Sequence, residues 1–320
     1  MTTHLELFQL AARHGLDRPA TRQLIALGGF DAEPPALRNG FWRAVAAAAA
    51  ALGGLGIVLW IAANWDVMGR MQRFALLQGF VLAMCLGAAW SRRARAPLGL
   101  LALLGIGGLL AYFGQTYQTG ADPWQLFALW AALGLPLALA ARSDVVWLPW
   151  TLAAHTGLAL WAQAHTGHAW RVEPQDTAIH AAALAAVLLL LLLVSPPLRR
   201  WTGAGTWALR GAAVLGAGFV TATAGMGLFA TPIAPQYALG LAVLALGAAL
   251  AARRAGFDVF ALSACVLGLD VLLVCGLARG LLSGSGGDWV GELLLIGLLA
   301  AGLVALSVQG VLRLSRRGGW

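Results

Sequence analysis

GGLLAYFGQTYQTGADPWQLFALWAALGLPLALAARSD, Gly107 to Asp144, decides the fold. Two apolar runs fold around one short polar turn, GQTYQTGADPW. Each run is about long enough to cross a bilayer. The turn carries amide, phenol, hydroxyl, carboxylate and indole groups and no positive charge. The rest of the chain reads as further hairpins of the same kind.

Composition agrees. The 320 residues are 60% hydrophobic and only 11% charged, against roughly 25% charged in soluble domains. The formal net charge of +8 does not point to nucleic acid. Every basic residue is Arg, and the arginines sit between apolar runs. That is the pattern of loops held against an anionic leaflet, and it argues against nucleic acid as a partner. Residues 1–42 contain Glu6, Asp17, Asp31 and Glu33 and no apolar core with a cleavage site, so a signal peptide is not expected. Cys85, Cys265 and Cys275 lie inside apolar runs without metal-ligand spacing and read as small buried hydrophobes.

The chain divides into a short cytosolic helical segment, 1–42, and a transmembrane helical domain, 43–320. In the first, Asp17 has the position of an N-cap, with Pro19 in the first turn and Gly28-Gly29 as the stop. Ten apolar runs follow, near 43–63, 74–90, 98–114, 124–141, 145–162, 177–194, 207–230, 237–252, 259–278 and 289–312. The expected fold is all-α, a polytopic membrane bundle of about ten helices. With ten spans, one face of the membrane receives Arg13, Arg18, Arg22, Arg38, Arg43, Arg92, Arg93, Arg95, Arg142, Arg199, Arg200, Arg210, Arg253, Arg254, Arg313, Arg316 and Arg317. The other receives only Arg70, Arg73, Arg171 and Arg279. This split predicts both termini in the cytoplasm. A parallel internal repeat is also suggested: Leu137–Leu158 echoes Gly247–Leu272, each a helix end, an Arg-containing turn, an Asp and a new apolar run.

Most acids have a structural explanation. Asp122, Asp144, Asp176, Asp258 and Asp288 sit just ahead of apolar runs, as capping residues do. Trp42, Trp65, Trp90, Trp124, Trp147, Trp170, Trp201 and Trp289 lie at run ends and read as interfacial anchors. Two ionisable residues remain near the middle of runs, His155 and Asp270. At about 1.5 Å per residue, both lie roughly 15 Å deep. A carboxylate there costs about 2.5–3.5 kcal/mol on insertion scales. In the repeat they fall within one residue of equivalence. The expectation is a facing pair, either a proton relay or coupling site or else a buried polar pair gluing helices.

A second constellation is expected on the outer face. Its members are Asn64, Trp65, Asp66, Gln115, Tyr117, Gln118, Asp122, Trp124, His180 and Glu292, with His165, His168, Trp170, Glu173, Gln236 and Tyr237 nearby. Amides, aromatics and carboxylates at one membrane face suit a sugar, a lipid headgroup or a peptide. His165, His168 and Glu173 have no metal-binding motif behind them. No catalytic residue, metal site or cofactor is expected.

VLWIAANWD (Val58 to Asp66), followed by GQTYQTGADPWQLFALWAALGLPLALAARS (Gly114 to Ser143), resembles the bacterial membrane proteins of domain-of-unknown-function family 2157. The polar segment before the first span resembles that family too. The resemblance implies a bacterial inner-membrane protein and, through the company such proteins keep, a second membrane protein of the envelope as partner. It brings no catalytic residues. Three functions are compatible with these readings. One is a transporter or flippase-like protein using the outer pocket and the His155/Asp270 pair. The second is a non-catalytic subunit or scaffold of an envelope complex. The third is a membrane-embedded transferase or hydrolase.

Overall fold

The computed structural model describes residues 9–27, 35–63, 67–117, 120, 122–168, 171–253, 257–282 and 289–317. Ten long helices occur among them, and no strand. They are α1 (Pro35–Ala63), α2 (Arg70–Trp90), α3 (Arg95–Tyr117), α4 (Pro123–Ala141), α5 (Asp144–Thr166), α6 (Thr177–Leu193), α7 (Thr206–Leu228), α8 (Pro235–Ala251), α9 (Val259–Leu282) and α10 (Trp289–Arg317). Each coincides with one of the ten apolar runs. The chain forms two compact units, residues 1–52 and 53–320. In the first, Asp17 caps the helix Arg18–Leu27, its Oδ1 accepting the Ala20 N–H at 2.9 Å.

Eight of the ten helices are long and apolar enough to cross a membrane. The exceptions are α5 and α8, for different reasons. At 17 residues α8 is short. The longer α5 carries Thr151, His155, Thr156, Gln163 and His165, which lower its hydropathy. Much of α5 is buried by neighbouring helices, including Val146, Trp147, Thr151, Ala153 and His155. A helix wrapped in protein does not need the apolar face that lipid demands.

Cross-links between turns show that α5 and α8 run the full depth of the bundle. At one end, Arg142 donates to the carbonyls of Arg200 and Trp201, and Asp144 accepts the backbone N–H groups of Gly205, Trp207 and Ala208. Arg210 Nε meets Asp258 at 2.8 Å at the same end. At the opposite end, Gln236 donates to the Glu173 carbonyl, Arg279 to the Ala230 carbonyl and Tyr112 to the Arg70 carbonyl. The arginine-bearing turns 142–143, 194–205 and 252–253 therefore share one end.

Two triads of mutually packed helices make the interior. In the first, α3, α4 and α5 pack on one another; in the second, α7, α8 and α9 do. They meet through α5 and α7, with α6 against both, and α10 packs on α9. Trp147 departs from the sequence reading. It is fully buried, its indole N–H donating to the Thr202 carbonyl at 3.1 Å, so it is an interior post and not an interfacial anchor. Trp42, Trp90 and Trp201 are exposed, as anchors are.

Candidate functional site

His155 and Asp270 are both buried, at 6% exposure each. His155 Nδ1–H donates to the Thr151 carbonyl at 2.8 Å, one turn back on α5, and its Nε2 has no hydrogen-bond partner. Asp270 accepts the Ser307 hydroxyl of α10 at 2.8 Å. No hydrogen bond or ion pair joins His155 to Asp270. Their helices pack on α7 from separate triads, and each side chain uses the polar group nearest its own helix face. Asp270 therefore ties α9 to α10 by a side-chain hydrogen bond.

The residues expected at the outer face occupy several places. Asn64, Trp65, Asp66 and Gln118 lie outside the described residues. Tyr117 joins an aromatic cluster with Phe74 and Phe113, ring centroids 5.8 and 4.9 Å away, with the Arg70 guanidinium 5.9 Å from its ring. Gln115 is exposed on the same helix end. His180 is buried on α6, its Nδ1–H donating to the Asp176 carbonyl at 3.1 Å, beside the buried Gln236. Glu292 stands on α10 with Oε2 buried and unbonded. Near His180, the turns 171–175 and 229–232 enclose a hollow of about 740 Å³ containing Arg171 and Glu173.

Asp122 and Trp124 begin a more organised site. Asp122 stands at the N-cap of α4, yet its carboxylate makes no capping bond. The cap is made by backbone instead, Gln125 N–H donating to the Asp122 carbonyl at 3.0 Å. The carboxylate is thus left to line a pocket of about 320 Å³, with Gln163, Gly167 and His168 from the end of α5. Trp124 forms one wall of this pocket. It also lines a groove of about 590 Å³ along α4, α5 and α6. The groove has alanines at 128, 131, 132, 154, 182, 183 and 186, walled by Trp124, Trp150 and Trp161. Trp150 is pinned by its N–H to the Ala131 carbonyl at 2.7 Å. Trp161 and Trp124 both contact the His165 ring, at 4.6 and 5.7 Å. Trp124 Nε1 is buried and has no acceptor.

Trp150, Trp161 and the alanines were not singled out from sequence. Their signal is present: small residues recur every three or four positions on α4, α5 and α6. The same spacing also marks ordinary close helix packing, so only the assembled helices distinguish a groove from a seam.

The remaining conspicuous carboxylates are structural. Asp144, expected to cap its own helix, lies inside the first turn of α5, where Ser143 is the cap. It caps α7 across space instead. Asp258 does cap its own helix, accepting from Phe260 and Ala261 N–H at 3.0 Å each. Asp176 accepts from Glu173 N–H at 3.1 Å. Asp288 lies outside the described residues.

No curated protein and no solved structure matches the chain. Residues 8–147, from the N-terminal segment to the start of α5 and including Asp122 and Trp124, match the family of predicted membrane proteins DUF2157, which the Val58–Asp66 and Gly114–Ser143 stretches resemble.

Proposed function

We propose that the protein is a flippase-like transporter of a lipid or lipid-linked amphiphile in the bacterial inner membrane, with both termini cytoplasmic. The arginine-bearing end faces the cytoplasm in this reading, because basic turns are retained there. The Asp122 pocket then opens at the outer leaflet.

One observation carries the proposal. An apolar groove along α4, α5 and α6 and a polar pocket at the start of α4 share Trp124 as a lining residue. An amphiphile has this polarity pattern: chain in the groove, headgroup in the pocket. From Trp124 to Leu135 the groove follows α4 for about 16 Å at 1.5 Å per residue. That is roughly half of a hydrocarbon core about 30 Å thick. The groove is therefore the loading site in one leaflet. Passage to the other leaflet requires α4 or α6 to shift on α5.

The test is lipid translocation in reconstituted vesicles, read as loss of a bleachable headgroup label from the protected leaflet. Wild type accelerates it. Ala132→Trp, which fills an exposed part of the groove, abolishes the acceleration. Ala185→Trp, exposed on α6 outside the groove, leaves it intact. No acceleration by wild type, or equal rates in both variants, overturns the proposal.

A further inference from the structure

Resting on the groove as an amphiphile site, we infer that the bound headgroup carries an ammonium, as in ethanolamine or choline phospholipids. Three features of the pocket mouth converge on this class.

The first is formal charge. Asp122 is exposed, carries no capping bond and lines the pocket. Among the described residues no arginine lines it, and the one other ionisable side chain in that lining, His168, faces Glu173, with Nε2 3.7 Å from Oε1. The described lining therefore carries no net positive charge to hold an anionic headgroup.

The second is the backbone. The N-terminus of α4 attracts anions, and the C-terminus of α5 attracts cations. Both line the same pocket, through Pro123 and Gly167. Side by side, the opposed helix ends offset each other, and the Asp122 carboxylate sets the sign.

The third is aromatic. Trp124 lines the pocket beside Asp122, and an ammonium is held both by an indole and by a carboxylate. An ammonium headgroup meets both groups, whereas a phosphoglycerol headgroup leaves Asp122 facing a like charge.

The experiment is binding of short-chain phospholipids to the purified full-length protein, by native mass spectrometry and by thermal shift. The probes are phosphatidylethanolamine, phosphatidylcholine and phosphatidylglycerol. Both ammonium lipids are expected to bind about tenfold more tightly than phosphatidylglycerol, the size of one electrostatic and cation–π contact. Asp122→Asn removes that preference without weakening phosphatidylglycerol binding. Ala132→Trp abolishes binding of all three. If wild type binds all three equally, or favours phosphatidylglycerol, and Ala132→Trp still abolishes binding, the ammonium inference falls and the groove stands. If none binds, or Ala132→Trp changes nothing, the groove reading itself falls. An unchanged preference in Asp122→Asn, with an unaltered melting temperature, also overturns the assignment.

Discussion

The triads α3–α5 and α7–α9 are built alike and packed differently. In each, a hairpin whose second helix begins just after an Asp-bearing turn packs on a third helix. Both α4 and α8 start with Pro, at Pro123 and Pro235, and the next residue has a polar atom without a partner, Trp124 Nε1 or Gln236 Oε1. The interiors then diverge. The second triad is closed by aliphatic side chains: Ala217, Val220, Ala224, Leu244 and Leu272 form one buried cluster. The first is propped by indoles at Trp130, Trp147 and Trp150, each donating to a backbone carbonyl of a neighbouring element. Large rings hold helices apart as well as together, and the gap beside α4 is the groove. The groove, about 590 Å³, gives room for a ligand beside α4.

The largest expected effect comes from enlarging a small residue in the closed triad. A side chain at Gly240 would place its Cβ 2.3 Å from the Ala224 Cβ, with the Val220 carbonyl 3.6 Å away, so neither helix can yield by a rotamer change. Gly240→Leu is expected to lower stability by about 3 kcal/mol, at the upper end of overpacking effects. The measurement is the thermal melt of detergent-solubilised protein. Ala132→Trp, a larger side chain added to the open triad, is expected to shift the melt by less than about 0.5 kcal/mol, as exposed substitutions do. Equal losses would mean that the two triads are equally packed and the groove is not a cavity.

This contrast was only partly legible in the sequence. Apolar runs locate helices because membrane insertion selects for them, and all ten helices coincide with a run. The positions of His155 and Asp270 at midhelix were legible too, and both side chains are buried. Their direction was not. Rotation of a helix about its axis is set by which neighbour it packs on, and no local pattern records that. The same limit hid the role of Asp144. Its place before an apolar run reads as a cap, but which helix it caps depends on the turn that arrives beside it, sixty residues along the chain. The groove was hidden for a related reason, because alanine spacing on one helix looks the same against a partner and against a gap.

A smaller effect compares the two aspartates at the arginine-bearing end. Asp144 accepts three backbone N–H groups at the start of α7, at 2.6, 3.0 and 3.3 Å. These are donors that a helix N-terminus otherwise leaves unpaired. Asp144→Ala is expected to destabilise by about 2 kcal/mol, the range for a strong cap made to a charged group. Asp258 caps α9 and pairs with Arg210, whose guanidinium also lies 4.5 Å from the Phe260 ring and 5.2 Å from that of Trp207. Part of the Arg210 environment survives loss of the carboxylate, so Asp258→Ala is expected to destabilise by about 1 kcal/mol. Thermal melts of the two variants in matched detergent test the order. A larger loss for Asp258→Ala would show that the second hairpin, and not the first, anchors α7.

The smallest effect tests whether the two props are equivalent. Trp130 donates to the Leu103 carbonyl of α3 at 2.8 Å, and Tyr237 donates to the Leu272 carbonyl of α9 at 3.1 Å. Each ring reaches its acceptor past a glycine: an added Cβ at Gly107 would lie 2.5 Å from the Trp130 ring, and one at Gly276 would lie 2.4 Å from the Tyr237 oxygen. Trp130→Phe and Tyr237→Phe each delete one hydrogen bond, worth about 1 kcal/mol. Tyr237→Phe removes only the hydroxyl and leaves the ring packed in the closed triad, so its effect ends there. Trp130→Phe also removes ring volume beside Phe127, whose centroid is 5.7 Å away on α4. Phe127 in turn abuts the α5 backbone at Gly157, which lines the groove. The tryptophan variant is therefore expected to alter lipid binding as well as stability, and the tyrosine variant stability alone. A change in lipid binding from Tyr237→Phe would place the mobile element in the second triad.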